Sequence, residues 1–309
     1  MILAYTSSEL LSIFTMQGFA GLSLFSVLLL MALGLAIIFG QMGVINMAHG
    51  EFMAAGAYTV YLCSTLTSKY VPSFQPYYFL VAIVAAFFVA GSLGLLVEWG
   101  LIRFLYKRPL DTLLATWGLS LIMQQSFRST FGAREVTPTL PDWLMGSFKP
   151  TVSIDIPING VFVMGLTLFI TAAVLFFTFN TRAGLRMRAT VQNRMMSGAV
   201  GINTKLVDRL AFSMGCGIAG AAGAAFTTIG STGPDSGSRY IVDTFLVVVF
   251  GGAASMLGTV ASAFGIAQTQ SISEFFLQGT MGKVATLLAI VTILMIRPQG
   301  LFASKVRRA

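Results

Sequence analysis

The chain has 309 residues, of which 56% are hydrophobic and only 10% are charged, and its mean hydropathy is +0.83. Soluble domains carry about 25% charged residues, so this chain has too few charges to cover a surface that faces water. We therefore expect a multi-pass protein of a bacterial inner (plasma) membrane, with lipid as its main solvent. The net charge of +8 does not indicate nucleic-acid binding, because the basic residues gather in short loops between apolar segments.

Nine apolar segments follow one another along the chain. A membrane-spanning helix needs about 20 apolar residues, so the chain has room for about eight to ten spans and little else. The sequence therefore predicts an all-α, polytopic transmembrane helical bundle that forms a single domain over residues 1–309. Residues 241–276 could cross twice, or could combine a re-entrant pair with one span. The segments cover residues 20–40, 42–66, 77–101, 110–131, 160–179, 206–230, 241–257, 258–276 and 283–296.

Three clusters hold most of the 19 basic residues. Cytoplasmic loops of membrane proteins are enriched in Lys and Arg, so we expect all three clusters on the cytoplasmic side. Counting crossings from them predicts an N-terminus outside and a C-terminus in the cytoplasm. The clusters are Arg103, Lys107 and Arg108; Arg182, Arg186, Arg188, Arg194, Lys205 and Arg209; and Arg297, Lys305, Arg307 and Arg308.

Two segments, residues 41–59 and 238–259, combine polar side chains with several glycines. Irregular backbone at membrane depth is tolerated where it is buried in protein or lines a wet cavity. Matching interrupted segments in the two halves of a transporter point to its central pathway. We therefore expect interrupted or re-entrant segments in both halves of the chain.

The first interrupted segment contributes Asn46, His49 and Glu51 as candidate residues of a membrane pathway, and the second contributes Asp243. Ionisable groups within a membrane are costly and need a reason to be there. Positions two apart point about 200° away from each other on a helix, which argues against a direct proton relay from His49 to Glu51. Capping of a broken helix, lining of a pathway and proton coupling all remain open. Asn46 is the better pathway candidate, because its amide both donates and accepts without a charge.

Residues 181–205 form the most informative cytoplasmic segment. A short helix over residues 184–200 would interleave basic with apolar side chains. Such a helix could lie on anionic lipid, or it could insert into a groove on a soluble partner. The spacing of the residues does not separate these two interpretations.

Signals for chemistry are missing from the sequence. The chain has no phosphate-binding loop, no zinc-protease motif and no nucleophile elbow, and its two cysteines, Cys63 and Cys216, lack the spacing of metal ligands. We expect no catalytic residue, no metal site and no bound cofactor. If ATP drives the protein, another polypeptide hydrolyses it.

Three separated motifs resemble those of the branched-chain amino-acid-type ABC permeases. Residues 43–58, GVINMAHGEFMAAGAY, match the signature G-x-I-N-x-A-H-G-(D/E), and the other two motifs are residues 181–203 and 296–301. Residues 233–252 and 268–283 look like the urea and short-chain amide branch of this family, and its B-type permease subunit in particular. The resemblance implies a permease subunit of an ATP-driven importer, moving urea or short-chain amides from periplasm to cytoplasm. Branched-chain or other amino acids are the alternative substrates, and an ATP-independent channel or carrier is a further alternative.

The resemblance also implies partners: a homologous second permease, two ATP-binding subunits that hold ATP and Mg, and a periplasmic substrate-binding protein. The second permease could be an identical or a different chain. Residues 181–205 would couple the permease to the ATPase, and a path for a neutral solute would use Ser120, Gln124 and Gln125 besides the residues above. The coupling candidates are Arg182, Arg186, Arg188, Asn193, Arg194 and Gly201.

Overall fold

A computed structural model of the chain describes residues 7–106, 108–151, 154–252, 255–277, 279–297 and 300. Lys107, Lys305, Arg307, Arg308 and part of the motif at 296–301 lie outside these residues. The described part folds as an all-α bundle, as predicted, with one small antiparallel hairpin of β1 (Ser147–Thr151) and β2 (Ile154–Pro157). Its helices are α1 (Ser7–Met42), α2 (His49–Tyr70), α3 (Tyr78–Gly100), α4 (Pro109–Phe131), α5 (Ile158–Asn180), α6 (Arg182–Gln192), α7 (Arg194–Ala199), α8 (Thr204–Phe226), α9 (Ser236–Gly251), α10 (Met256–Leu277) and α11 (Thr280–Ile296).

Four helices of the described part are both long and apolar enough to cross a membrane: Ser12–Met42, Tyr78–Phe104, Ile158–Asn180 and Thr204–Phe226. Three more, α2, α4 and α10, have 22 or 23 residues, which makes each about 33 Å long. That length also suits a hydrocarbon core of about 30 Å, but polar side chains lower the hydropathy of these helices. The number of crossings stays a prediction.

The centre of the bundle is α8, which packs against α1, α2 and α3. Small residues allow this, because a methyl group added at Gly56 would collide with the backbone of Gly220, and one added at Gly223 would collide with the carbonyl of Met53. Small residues at helix contacts let backbones approach closely in membranes. The glycine- and alanine-rich stretch of α8 is therefore a packing surface.

Both predicted interruptions are present. The helix α1 ends at Met42, and residues 43–48 run without regular structure until α2 begins at His49. In the second half α9 ends at Gly251, Gly252 adopts a φ of 88°, and α10 begins at Met256. We call residues 43–48 the first break, and we call the interval between α9 and α10, of which Gly252 and Ser255 are described, the second break.

The single helix predicted over residues 184–200 is wrong, because the structure divides this segment into α6 and α7. Asn193 separates the two helices with extended backbone angles, and its side-chain Oδ1 accepts a hydrogen bond from the Met196 N–H at 3.0 Å. Asparagine favours such caps because its side chain competes for backbone donors. Residues 181–205 therefore contain two short helices, α6 and α7, and the capping side chain of Asn193 lies at their junction.

Candidate functional site

A buried carboxylate lies in the first turn of α2. The Glu51 side chain is almost wholly inaccessible, and its Oε1 accepts hydrogen bonds from Ser120 Oγ at 3.1 Å and from Gln124 Nε2 at 2.9 Å. Gln124 Nε2 also donates to Ser120 Oγ at 3.0 Å. The second oxygen, Glu51 Oε2, has no partner among the described residues. One acceptor of this carboxylate is thus held in place while the other remains available.

The partners of Glu51 belong to a stripe of four polar residues on α4, which we call the polar edge: Thr112, Thr116, Ser120 and Gln124. Residues four apart lie on the same side of a helix, so these side chains face one way. Thr116 Oγ1 accepts the N–H of Met47, which lies in the first break, at 3.1 Å. The polar edge therefore faces both α2 and the first break.

His49 points away from Glu51, as its spacing predicts. Its Nε2 lies 3.1 Å from the carbonyl oxygen of Met31 in α1, and its Nδ1 has no partner among the described residues. Glu51 bonds to α4 instead. The two side chains therefore do not form a direct relay.

Asn46 and Tyr58 add two more unpaired polar atoms. Asn46 Oδ1 accepts the Ala48 N–H at 3.1 Å, whereas its Nδ2 is buried without a partner in the described part of the chain. The Tyr58 hydroxyl is also buried and unpaired, and its ring stacks on Phe131 of α4 with centroids 4.3 Å apart. An unsatisfied buried polar group costs about 1–3 kcal/mol. The first break and the start of α2 therefore present several polar atoms that a bound solute could satisfy. We call Asn46, Glu51, Tyr58, Ser120 and Gln124 the central cluster, and His49 lies outside it, against α1.

Besides His49, the structure leaves two predicted pathway residues outside this cluster. Gln125 is exposed on a different side of α4 from Gln124. Asp243 of α9 instead forms an ion pair with Lys283 of α11, with Oδ2 and Nζ 2.7 Å apart. Lys283 was missed as the partner of Asp243, because the two residues lie 40 positions apart and no local pattern links them.

A second group of ionisable residues connects α7, within residues 181–205, to the rest of the bundle. Arg194 at the start of α7 pairs with Asp208, whose side chain is fully buried in α8. Glu98 of α3 accepts hydrogen bonds from Arg209 Nε at 3.0 Å and from the Tyr106 hydroxyl at 2.5 Å. Arg194 also lies over the Tyr106 ring, 5.7 Å from its centroid. Burial and the Glu98 carboxylate raise the pKa of Tyr106 well above its usual range, so the phenol stays a donor.

These five residues, which we call the cytoplasmic network, connect α7 to α3 and α8. Sequence reasoning predicted only Arg194 among them as a functional residue. Glu98 was missed because its partner Arg209 lies 111 positions away. Tyr106 and Asp208 were missed although their partners Glu98 and Arg194 lie only 8 and 14 positions away, because each pair joins two different elements. A movement of α7 would act on two helices of the bundle through this network.

The other coupling candidates have different local roles. Asn193 caps α7, and Gly201 takes a left-handed φ of 85° in the turn before α8. Arg188 donates to the carbonyl of Phe179 at 3.4 Å and stacks on its ring. Arg182 and Arg186 are exposed and form no ion pair within the described residues.

Two apolar side chains of α7 reach into solvent. Met195 is 88% exposed and Met196 is 60% exposed. Exposed methionines at the end of a basic segment suit a docking contact, because their flexible side chains adapt to an apolar groove. Within the described part of the chain, no group of three or more His, Cys, Asp or Glu residues could hold a metal ion.

The sequence of the chain also matches a family of known proteins. Residues 18–297 match the profile of a family described as the permease component of branched-chain amino acid transport systems. No solved structure matches the chain.

The curated relatives are full-length matches. The high-affinity branched-chain amino acid transport system permease protein LivH of Salmonella typhimurium is 26% identical over 305 residues, covering 95% of this chain and 97% of the relative. LivH of Escherichia coli K12 has the same identity and coverage. BraD of Pseudomonas aeruginosa is 26% identical over 294 residues, covering 91% of this chain and 93% of the relative. All are permease proteins rather than enzymes. The chain therefore belongs to the branched-chain amino acid ABC permease family.

Proposed function

We propose that this permease forms half of the membrane unit of an ATP-driven importer for a small neutral solute such as urea or a short-chain amide. The observation that carries the proposal is the central cluster around Glu51, which combines a half-satisfied carboxylate with amides and hydroxyls. Urea carries no charge, and it offers N–H donors on both nitrogens and a carbonyl oxygen as acceptor. Such a solute could replace the missing partners of these buried atoms without bringing a second charge into the membrane.

The composition of the central cluster favours a neutral solute over an amino acid. The cluster contains no Lys or Arg to pair with the carboxylate of a zwitterion, and the N-terminus of α2, which could receive that carboxylate, already carries the Glu51 side chain in its first turn. Branched-chain amino acids are the second candidate, because the curated relatives are named as permeases for them. Glu51 could receive the ammonium group of such a substrate.

The proposed assembly contains a homologous second permease, two ATP-binding subunits with ATP and Mg, and a periplasmic binding protein. This chain holds no cofactor in that scheme. The pair α6 and α7 would contact an ATP-binding subunit through Met195 and Met196, and the cytoplasmic network would pass the movement to α3 and α8. We propose an N-terminus outside and a C-terminus in the cytoplasm of a bacterial inner membrane.

The test of the substrate is radiolabelled urea uptake in vesicles that hold the chain with its partner subunits and binding protein. We expect ATP-dependent uptake that excess acetamide blocks and excess leucine does not. Block by leucine alone would favour the second candidate. Uptake without ATP would contradict the importer and indicate a channel or carrier.

The test of the site compares Glu51→Ala with Glu51→Gln in the same assay. Glu51→Ala removes the acceptor of Ser120 and Gln124, and we expect uptake to fall at least about tenfold, the change that about 1.4 kcal/mol produces. Glu51→Gln keeps one acceptor and should retain more uptake than the alanine variant if the solute is neutral. The matched control is Ser126→Ala, an exposed position of α4 whose hydroxyl bonds to its own helix. Unchanged uptake in Glu51→Ala would overturn the assignment of the site.

The test of the coupling contact replaces Met196 with Glu. A charge there should weaken docking on an apolar groove, so ATP hydrolysis should no longer rise when substrate-loaded binding protein is added. Basal hydrolysis by the ATP-binding subunits serves as the internal control. Normal stimulation in this variant would contradict the role of α7.

A further inference from the structure

An apolar groove runs between α3 and α5 with α8 as its floor. Its volume is about 860 Å³, and every side chain that lines it is apolar. Its lining includes Phe87 of α3 and Phe169 of α5 on the two sides and Ile218 of α8 on the floor. Water cannot satisfy such a surface, so within a bilayer the groove must hold lipid chains or an apolar helix.

The groove follows the length of α5, one of the helices long and apolar enough to cross a membrane. Its lining on α5 runs from Phe162 to Phe177, a distance of about 22 Å along the helix. The groove exists because α5 touches α8 only sparsely, whereas α3 packs tightly on α8. The glycine at position 165 widens it further, since a side chain added there would meet nothing within 4 Å.

At the end that the basic residues place in the cytoplasm, the groove continues into a smaller pocket of about 320 Å³. The two share Phe177 and Met214 as lining residues, so they are adjacent. The smaller pocket is also mostly apolar, and its polar side chains are Arg186 of α6 and Asn203 before α8. The apolar groove is thus followed by a pocket that carries one positive charge.

The charge in this pocket is not neutralised by the protein. The Arg186 guanidinium forms no ion pair within the described residues. The sequence contains no Asp or Glu between Asp155 and Asp208, so the surrounding segment is wholly basic. Basic pockets between membrane helices on the cytoplasmic side suit the phosphate of an anionic lipid headgroup.

We infer that the groove and pocket together bind one anionic phospholipid of the cytoplasmic leaflet, with its acyl chains along α5 and its phosphate on Arg186. A helix of the second permease would fill the apolar part but would leave Arg186 without a counter-charge. A phospholipid satisfies both parts at once. This inference does not depend on which solute the permease transports.

The experiment measures lipid retained by the purified chain, alone and with its partner subunits, by native mass spectrometry after exposure to phosphatidylglycerol or phosphatidylcholine. We expect the wild type to retain phosphatidylglycerol in preference to phosphatidylcholine. Arg186→Gln should lower that preference about fivefold, since one basic residue near an anionic surface contributes about 1 kcal/mol. Its control is Arg103→Gln, another cytoplasmic arginine that packs on Trp99 and does not line the pocket.

A second pair of variants tests the acyl-chain part. Gly165→Leu should fill the groove and reduce retention of both lipids, whereas Gly265→Leu, at an equally open glycine of α10, should not. Both variants should fold, because a Cβ atom added at either position has no neighbour within 4 Å and the leucine side chain begins in open space. Equal retention of the two lipids by the wild type would overturn the inference, as would unchanged retention by Gly165→Leu. Loss of the lipid on assembly with the second permease would overturn it in favour of a protein helix.

Discussion

The two breaks in the helices differ in how their polar groups are satisfied. At the first break and the start of α2, Asn46, His49 and Glu51 each keep one buried atom without a partner in the described chain. Around the second break, Ser255 Oγ accepts the Gly258 N–H at 3.0 Å, and Ser262 Oγ donates to the Val247 carbonyl at 2.6 Å. The first break keeps unpaired polar atoms, whereas the hydroxyls of Ser255 and Ser262 beside the second break are both hydrogen-bonded.

We propose that this difference distinguishes a solute site at the first break from a purely structural second break. Buried polar groups are nearly always hydrogen-bonded, so a buried polar atom without a partner needs an explanation, for example a ligand that binds there. Of the nine such side-chain atoms among the described residues, four lie in the first break and α2, beside the polar edge of α4, and the other five are spread over α1, α5, α6 and the loop before α9. Asp243 in the second half has its own counter-ion in Lys283. Interrupted segments in both halves thus do not imply two equivalent sites, and the solute path is expected at the first break.

The largest expected effect comes from the close contact between the start of α2, next to the first break, and α9. A side chain added at Gly50 would collide with the backbone of Gly237, and neither backbone can yield. We expect Gly50→Val to destabilise the fold by about 3 kcal/mol or more, and to abolish transport with it. Thermal unfolding in detergent measures this loss.

The matched control for Gly50 is Gly118→Val in α4, where an added Cβ atom would have no neighbour within 4 Å. It should unfold near the wild-type temperature. If Gly50→Val proved equally stable, the close approach of α2 and α9 would be wrong, and with it the placement of the first break.

The next effect tests whether the second break is only structural. Asp243→Asn should cost about 2 kcal/mol of stability, because it removes the counter-charge of Lys283, which is 40% exposed and therefore partly solvated. The double variant Asp243→Asn with Lys283→Met should recover most of that loss and should also recover uptake. Thermal unfolding and solute uptake are measured together.

Recovery of stability without recovery of uptake would mean that Asp243 acts on the solute, and the contrast between the two breaks would fail. Glu51→Ala provides the comparison, since no second substitution should restore its uptake.

A smaller effect contrasts one hydrogen bond at each break. Thr116→Val removes the acceptor of the Met47 N–H, and Ser255→Ala removes the cap of α10. Each should cost about 1 kcal/mol of stability. Only Thr116→Val should also lower uptake, because Met47 lies in the first break. Equal uptake in both variants would remove the polar edge from the proposed path.

The helices were largely predictable, because a membrane span must be a long apolar run. The apolar segments 110–131 and 160–179 differ from α4 (Pro109–Phe131) and α5 (Ile158–Asn180) by two residues or fewer at each end. The breaks were also predictable, because glycines and polar side chains interrupt those runs. Both signals are local, so a single sequence contains them.

The partners of the functional side chains were not predictable in this way. Ser120 and Gln124 meet Glu51 across about 70 positions, and Arg209 meets Glu98 across 111. Such pairs depend on how helices are arranged, which no local pattern encodes. One signal was available: polar residues at every fourth position of α4 indicate a polar side facing protein, and they would have separated Gln124 from Gln125.

The smallest expected effect lies at the outer end of the polar edge. Arg128 follows Gln124 by one helical turn and pairs with Asp235 at 3.1 Å, with both side chains 48% exposed. Exposed ion pairs contribute about 0–1 kcal/mol, so Arg128→Gln should shift stability by no more than that and change uptake less than about twofold. The measurement is solute uptake at low and high salt, since salt already screens this pair in the wild type. A large loss of uptake at both salt concentrations would show that the path continues along α4 beyond Gln124. The functional region would then extend from the first break to the outer surface, and the contrast with the second break would become sharper.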